Sequence, residues 1–496
     1  MPTETEVKMG AWAGFAVPDL DGVVDGVTAT TRATRTLLAV YYDTADLRLA
    51  RWGVTLRHRT RVGGGTGTWT VKLPDGNDGP ALVRRELSFE GSAAKMPAAA
   101  ASLVMAFART SPLAPVARLR TVRTGVNLLD GEGAVVAEVV DDEVSVLHAG
   151  RVAARFREVE VELGERPPPA LAAAVVARLR AAGAGPPDTM PKVIRALGPR
   201  ALAPPDVAPA PLGRNPSGAV FVRRAIAVAV ERILRHDPGV RIGDDPEDVH
   251  QARVGTRRLR SDLRTFAPLI DEAWLSSLRD ELRWLGGALG KVRDADVLTE
   301  RLHAQAAGVP EIDGAGLAPI FLRLALERDE ARHELLAVMA GARYLDLLDR
   351  LVAGAAAAPC RHIAEKRASA TIPGLVAGPW GRLAKAVAAL PRHPPDADLH
   401  RVRILAKRAR YAAEAAAPLA GRKAAALATA LAGLQTVLGD HQDAVVAEAW
   451  LRAGPSPTGP ATNALIARQQ AEAEMGRRQW RAAWAKASAP RLRTWL

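Results

Sequence analysis

The chain has 496 residues, of which 67 are Lys or Arg and 54 are Asp or Glu, leaving a formal charge of +13. A hydrophobic content of 48% supports a sizeable core and excludes wholesale disorder, and the length predicts roughly two to four domains. The one cysteine, Cys360, excludes a disulfide framework and a Cys-rich zinc site.

The basic excess predicts a polyanionic partner, while an aromatic content of 4% disfavours a module that stacks on single-stranded bases. The opening Met1-Pro2-Thr3-Glu4 has no basic and no apolar region of a signal peptide. Apolar stretches such as Ala98–Ala108 are too short to span a bilayer. We therefore expect a cytoplasmic protein with no membrane partner.

In chain order, Glu4–Lys8, Val54–Arg59, Thr68–Leu73, Arg84–Glu90, Val135–Val146 and Phe156–Leu163 alternate with period two and read as strands. Ala98–Arg109 and Ala170–Ala182 read as helices between them. Residues 199–216 hold six prolines among Ala and Gly and read as an extended linker. Beyond it the period changes to 3.6, in long segments rich in Ala, Leu and Arg, broken most clearly at Gly454–Pro460. The expected division is 1–198, a linker at 199–216, and 217–496. Residues 1–200 carry 25 basic and 22 acidic residues, so +10 of the net charge lies on the helical half.

In the first half the charges keep a fixed parity. Glu4, Glu6 and Lys8 share one face, as do Arg57 and Arg59, Thr70 and Lys72, Arg84 and Glu86, Glu138 and Asp142, and Glu158, Glu160 and Glu162. For any one segment, a half-buried sheet with its charges in water explains this. Six such segments also fit a closed barrel with the charged face inward and helices over the apolar outer face. Unpaired buried charge is costly, so a barrel lined by both signs suits a triphosphate with a divalent metal. On a regular strand Arg118 and Arg120 lie opposite Arg123, and parity does not choose among them.

The ordered set Glu4-x-Glu6-x-Lys8, Tyr41-Tyr42-Asp43-Thr44, Leu56-Arg57-His58-Arg59, Thr70-x-Lys72, Glu158-x-Glu160-x-Glu162 and Lys192 resembles a CYTH domain over essentially all of residues 1–200. That family comprises the triphosphate tunnel metalloenzymes. The resemblance implies an α+β fold with an antiparallel eight-stranded tunnel barrel, Mg²⁺ or Mn²⁺ as cofactor, and hydrolysis of a triphosphate. It implies Lys8, Arg57, Arg59, Lys72, Arg123 and Lys192 as phosphate grips. It implies Glu4, Glu6, Glu158 and Glu160 as metal ligands, with Glu86, Glu138 and Asp142 as further acidic positions for metal or water. Glu162 is a substitute for one of the pair before it. Pro191 stands where members often have Ser. Tyr41 and Tyr42 read as structural, His58 as facing outward, and Cys360 as a small core residue.

The second half contains a repeat. Val249-His250-Gln251-Ala252-Arg253 with Arg257-Arg258-Leu259-Arg260 returns, 150 residues on, as Leu399-His400-Arg401-Val402-Arg403 with Lys407-Arg408-Ala409-Arg410. Leu289-Gly290-Lys291-Val292-Arg293-Asp294 is echoed by Leu438-Gly439-Asp440-His441-Gln442-Asp443. His250, Arg253, Arg257, Arg260 and Arg264 fall within an arc of about 80° on a helix. His400, Arg403, Lys407 and Arg410 do the same. Such stripes repel themselves unless an anion neutralises them, and two of them across a groove suit a linear polyanion.

These residues resemble a CHAD domain over roughly residues 215–496. That resemblance implies an all-α domain of two four-helix repeats that binds inorganic polyphosphate. The implied contacts are His250, Arg253, Arg257, Arg260, Arg264, His400, Arg403, Lys407 and Arg410, with Arg258 and Arg408 as additional ones. Asp294 and Asp443 are expected to cap or brace helices.

The expected function is therefore metal-dependent hydrolysis of inorganic triphosphate, coupled to polyphosphate binding, with association to polyphosphate granules. The partners are inorganic triphosphate and polyphosphate, and nucleic acid is disfavoured. The alternatives are an adenylate cyclase of the CYTH class and a polyphosphate-binding scaffold with a weak or inactive tunnel.

Overall fold

Eight strands close into one antiparallel barrel in the computed structural model, in the order β1-β5-β4-β3-β2-β6-β7-β8. The structure describes residues 3–78, 81–307, 314–454 and 459–496, with side chains described for 5–75, 83–307, 316–454 and 459–496. The strands are β1 Thr3–Ala11, β2 Thr28–Asp43, β3 Thr55–Arg61, β4 Thr68–Asp78, β5 Ala81–Glu90, β6 Ala114–Leu129, β7 Val135–His148 and β8 Arg151–Leu163. Four short helices accompany them: α1 Arg48–Arg51, α2 Ala98–Ala108, α3 Leu171–Ala181 and α4 Lys192–Leu197. Five of the six alternating segments lie within strands, and the sixth, Val54–Arg59, starts one residue before β3. The other two strands, β2 and β6, pair with each other along their length.

The barrel is buried on both faces, and the alternation of β8 shows why. Val159 and Val161 point outward and are fully covered, packing with Leu171, Val175 and Leu179 of α3. Glu158 and Glu160, between them in sequence, point inward and are also buried. At one end α4 packs Val193 and Ile194 against the interior residues Ala39, Tyr41 and Leu119. Asp43 ends β2, and its carboxylate accepts the N–H groups of Thr44, Leu49 and Ala50 at 2.7–2.9 Å. The Asp-Thr pair thus shapes the turn into α1.

The chain forms two compact units, residues 1–206 and 207–496. The Pro-rich stretch begins within the first unit. A 3₁₀ turn covers Gly198–Leu202, Arg51 donates to the Pro204 carbonyl at 2.7 Å, and Trp52 donates to Asp206 at 2.8 Å.

The second unit is helical: α5 Gly218–Ile242, α6 Pro246–Thr265, α7 Glu272–Ala306, α8 Gly314–Ala340, α9 Ala342–Ala357, α10 Ala368–Ala388, α11 Asp396–Ala420, α12 Arg422–Arg452 and α13 Pro460–Ala487. Caps start several of them: the side chains of Ser217, Asp245 and Asp271 accept N–H groups from Val220, Glu247 and Trp274. Helix α7 buries Leu275, Leu278, Leu282, Leu285 and Leu289, the apolar stripe its sequence repeats. Gly255 lets α6 approach α5, because a Cβ there would lie 2.9 Å from Ile233 Cγ1. The basic helices α6 and α11 touch, and Arg258 of α6 pairs with Glu414 of α11 at 2.5 Å. No helix among the described residues is long and apolar enough to cross a membrane.

Candidate functional site

The barrel interior is a cavity of about 250 Å³. All six residues expected to grip phosphate line it: Lys8 from β1, Arg57 and Arg59 from β3, Lys72 from β4, Arg123 from β6 and Lys192 from the first turn of α4. Arg123 points inward while Arg118 and Arg120 are exposed. Arg32, Arg35 and Arg84 also line the cavity and were not assigned from sequence. Among the described residues nine cations and six carboxylates line it, an excess of positive charge.

The interior charges form three groups, one of them Glu138 with Arg32 and Arg35. In the first, Lys192 Nζ lies 2.7 Å from Asp142, 2.9 Å from Glu158 and 2.7 Å from Glu160. Lys8 Nζ lies 2.8 Å from Glu160 and 3.3 Å from Glu6, and Arg84 also pairs with Glu6. Arg123 grips Asp142 through two nitrogens at 2.7 and 2.8 Å and reaches Glu160 at 3.1 Å. In the second group, Glu86 pairs with Lys72 at 2.7 Å and approaches Arg57 at 4.0 Å.

Burial and pairing pull in opposite directions here. Burial pushes the Glu160 carboxyl up, but Lys192, Lys8 and Arg123 outweigh it and hold the group well below 4.5. Burial pushes Lys192 down, but Glu160, Asp142 and Glu158 hold it well above 10.5. Glu86 is pulled down to about 2, because Lys72 and Arg57 outweigh its burial. Arg59 goes the other way: neighbouring Arg57, then burial, lowers it to about 10.

The acidic residues fall in distinct places. Glu6, Glu160 and Glu162 each offer a carboxylate oxygen, and the three oxygens lie within 4.8 Å of one another. Oxygen-only donors of this kind fit Mg²⁺ or Mn²⁺. Asp142 and Glu158 sit instead with Lys192, Glu86 with Lys72, and Glu138 with Arg32 and Arg35. Glu162 therefore takes a place in the cluster that the sequence reading gave to Glu158. The backbone of Glu4 belongs to β1, and its side chain lies outside the described residues.

Tyr41, read as structural, lines the cavity, and its hydroxyl hydrogen-bonds Arg57. Burial raises this phenol, yet Arg57 holds it below its usual value. His58 lies on the opposite face to Arg57 and Arg59. It is buried there against Trp69, with Nε2 at 2.9 Å from the Gly91 carbonyl.

In the helical unit a groove of about 400 Å³ brings the two stripes together. His250, Arg253 and Arg257 of α6 line it opposite His400, Arg403 and Lys407 of α11. Arg293 and Arg301 of α7, not assigned from sequence, join them. Asp294 and Asp443 are not caps: they lie within α7 and α12 and pair with Arg253 at 2.6 Å and Arg403 at 3.5 Å. Gly290 and Gly439 lie under the same arginines, and the Gly290 carbonyl accepts from Arg253 at 3.1 Å. Each Leu-Gly-x-x-x-Asp element thus orients the arginine of its own stripe.

Arg260, Arg264 and Arg410 lie outside the groove. Arg264 lines a second pocket with Arg382 and Arg408, and Arg410 pairs with Glu414 at 3.3 Å. Lys407 is lowered to about 7, by burial first and then by Arg403 and Arg257.

A CYTH domain model matches residues 3–192, and a CHAD domain model matches residues 224–452. An uncharacterized protein of Mycobacterium tuberculosis strain CDC 1551 / Oshkosh is 34% identical over 472 residues, covering 89% of this chain and 87% of the relative. Its counterpart in strain H37Rv gives the same figures. Among solved structures, PptA from Streptomyces chartreusis is 27% identical, with a TM-score of 0.45 and coverage of 54% of this chain and 99% of that one. The CHAD domain from the plant Ricinus communis is 28% identical, with a TM-score of 0.47 and coverage of 57% and 96%.

Proposed function

Because the chain belongs to the families that pair a CYTH domain with a CHAD domain, we propose that it hydrolyses inorganic triphosphate in the barrel and binds inorganic polyphosphate in the helical groove. The observation that carries the reading is a closed barrel whose interior sets phosphate-gripping cations beside a three-carboxylate cluster. Lys8, Arg57, Arg59, Lys72, Arg123 and Lys192 reach the cavity from five different elements, so they surround a chain of phosphates rather than one group.

Glu6, Glu160 and Glu162 would hold Mg²⁺ or Mn²⁺, which when bound neutralises charge on the phosphoryl group under attack. Arg57, fixed by Tyr41 and Glu86, orients the substrate. Lys192 and Arg123 share the carboxylates at the first group and stabilise charge on the phosphate oxygens. Neighbouring carboxylates outweigh burial and hold Lys8, Arg123 and Lys192 above their usual values, so these three act as electrostatic clamps and not as proton-transfer groups. In the second unit the paired stripes of α6 and α11 supply the anion groove, and the fixed Arg253 and Arg403 give it two forked donors.

Phosphate release from tripolyphosphate, ATP and thiamine triphosphate, with Mg²⁺ and Mn²⁺ varied, tests the barrel reading. Release from tripolyphosphate supports it, whereas cyclic AMP formed from ATP without phosphate release refutes it. Competition between long-chain polyphosphate and duplex DNA tests the groove, and preference for DNA refutes polyphosphate as its ligand.

A further inference from the structure

The inner cavity does not end at the six phosphate-gripping residues. Arg35, Leu37, Arg59 and Arg123 line it on one side and also line a second basin of about 410 Å³. That basin continues past Arg61 to the turn between β3 and β4. Its charged side chains are Arg35, Arg59, Arg61 and Arg123 against Glu90.

Three features of the basin point to its ligand. Arg123 and Arg35 already pair with carboxylates, but among the described residues neither Arg59 nor Arg61 forms an ion pair. Arg59 bridges the two spaces and Arg61 faces only the outer one. Second, small residues, Gly65, Thr66, Gly67 and Thr68, form its rim. Gly67 lines it at φ +87°, and a Cβ there would lie 2.7 Å from both His58 and Thr60. Third, no aromatic ring among the described residues lines it, so they give a nucleobase nothing to stack on.

A β-bulge supports the same picture. The β2–β6 register shifts between Arg32 and Arg35, so two residues of opposite parity both point into the barrel. The shift brings Arg35 to the boundary between cavity and basin.

We propose that this outer basin is a subsite for phosphates beyond the third, so that the barrel selects linear inorganic polyphosphate longer than tripolyphosphate over nucleoside triphosphates. The proposal rests on the reading of the barrel as a triphosphate site. It adds the substrate class: a chain whose end occupies the inner cavity and whose continuation lies on Arg59 and Arg61. A nucleoside triphosphate would place an uncharged sugar and a base where the basin offers cations.

Calorimetry on the full chain tests this with tripolyphosphate, tetrapolyphosphate and ATP. The wild type is compared with Arg61→Glu, and with Arg61→Gln as a milder second variant. The helical unit is identical in all three proteins, so the difference between them reports the basin. Tetrapolyphosphate affinity is expected to fall about tenfold in Arg61→Glu and less in Arg61→Gln, while tripolyphosphate affinity changes less than about threefold. Unchanged tripolyphosphate binding also shows that the variant is folded.

Equal losses on both chains would overturn the proposal, as would tetrapolyphosphate affinity indifferent to Arg61 or an ATP affinity above that of tetrapolyphosphate in the wild type. If the basin effect is present and tripolyphosphate is not hydrolysed, the subsite stands and the triphosphatase reading fails. If tripolyphosphate is hydrolysed and Arg61 has no effect, the triphosphatase reading stands and the subsite fails.

Discussion

If the helical groove binds polyphosphate as proposed, Lys407 makes that binding depend on pH above neutrality. Its ammonium is held down to about 7 by burial, then by Arg403 on its own helix and Arg257 across the groove, with Arg253 adding to them and Asp443 opposing. Above pH 7 the free protein therefore carries Lys407 mainly as a neutral amine. A phosphate chain in the groove reverses the local field and restores the charge, so binding takes up a proton. Between the free and bound values, each pH unit weakens binding by up to about tenfold, or about 1.4 kcal/mol. If the bound chain returns Lys407 to its ordinary value near 10.5, the loss between pH 7 and pH 9 is about fiftyfold.

The assay is polyphosphate titration of the full chain from pH 7 to pH 9 at constant ionic strength, repeated in buffers of different ionisation enthalpy to count the proton. Terminal phosphates and His250, which burial and then Arg293 hold below 6.5 in the free protein, are common to the wild type and Lys407→Arg, so the comparison between the two isolates Lys407. Lys407→Arg keeps its charge throughout and should remove the slope while retaining tight binding. A wild-type affinity independent of pH, or an equal slope in Lys407→Arg, refutes the reasoning.

Glu160→Gln keeps the shape of the side chain but removes the charge shared by Lys8, Lys192 and Arg123. Metal-dependent phosphate release is expected to fall at least about a hundredfold, measured with tripolyphosphate as substrate. Lys192→Met leaves Asp142, Glu158 and Glu160 buried without their shared cation, and should destabilise the barrel by about 3–5 kcal/mol. Chemical denaturation should show the loss, and hydrogen exchange should place it in β7 and β8. Glu86, lowered from 4.5 to about 2 against the opposing effect of burial, contributes stability that is fully present above pH 4.5 and lost as pH falls toward 2. The contribution is about 3 kcal/mol, and Glu86→Gln should flatten that part of the acid-unfolding curve.

Parity made most of the barrel legible. In β1, β3, β4, β5, β7 and β8 the interior charges keep one parity, so these inward residues follow from counting by two. Strand β2 resisted this because its bulge shifts the phase between Arg32 and Arg35, and its first half is largely exposed. No single alternation therefore runs through it, and both arginines went unassigned. The acidic residues were identified by type, but their grouping was not. Whether Glu158 or Glu162 joins Glu6 depends on the stagger between β1 and β8, which pairs Glu6 with Glu162 and Lys8 with Glu160. In the helical unit the repeated His-x-x-Arg spacing exposed both stripes. Which part of each stripe faces the groove was not legible, because it depends on how α6 and α11 cross. Arg293 and Arg301 reach the groove from α7, a helix whose sequence signal is its leucine stripe.

The two units put charge to opposite uses, and the barrel's use links its ligands. Without substrate, the carboxylates that would bind metal are neutralised by the cations that would bind phosphate: Glu160 by Lys8, Lys192 and Arg123, and Glu6 by Lys8 and Arg84. A triphosphate entering alone must draw those cations away and leave buried carboxylates unpaired. A metal entering alone must strand the cations. Each penalty amounts to breaking a buried ion pair, about 3–5 kcal/mol. Entering together, the metal takes the carboxylates as the phosphates take the cations, and neither set is left uncompensated. Under the proposed function the binding of metal and triphosphate is therefore cooperative by linkage, each raising the affinity for the other by the same factor. The helical groove has no such device. Its stripes face few carboxylates, the main ones being Asp294 and Asp443, so it needs only the anion.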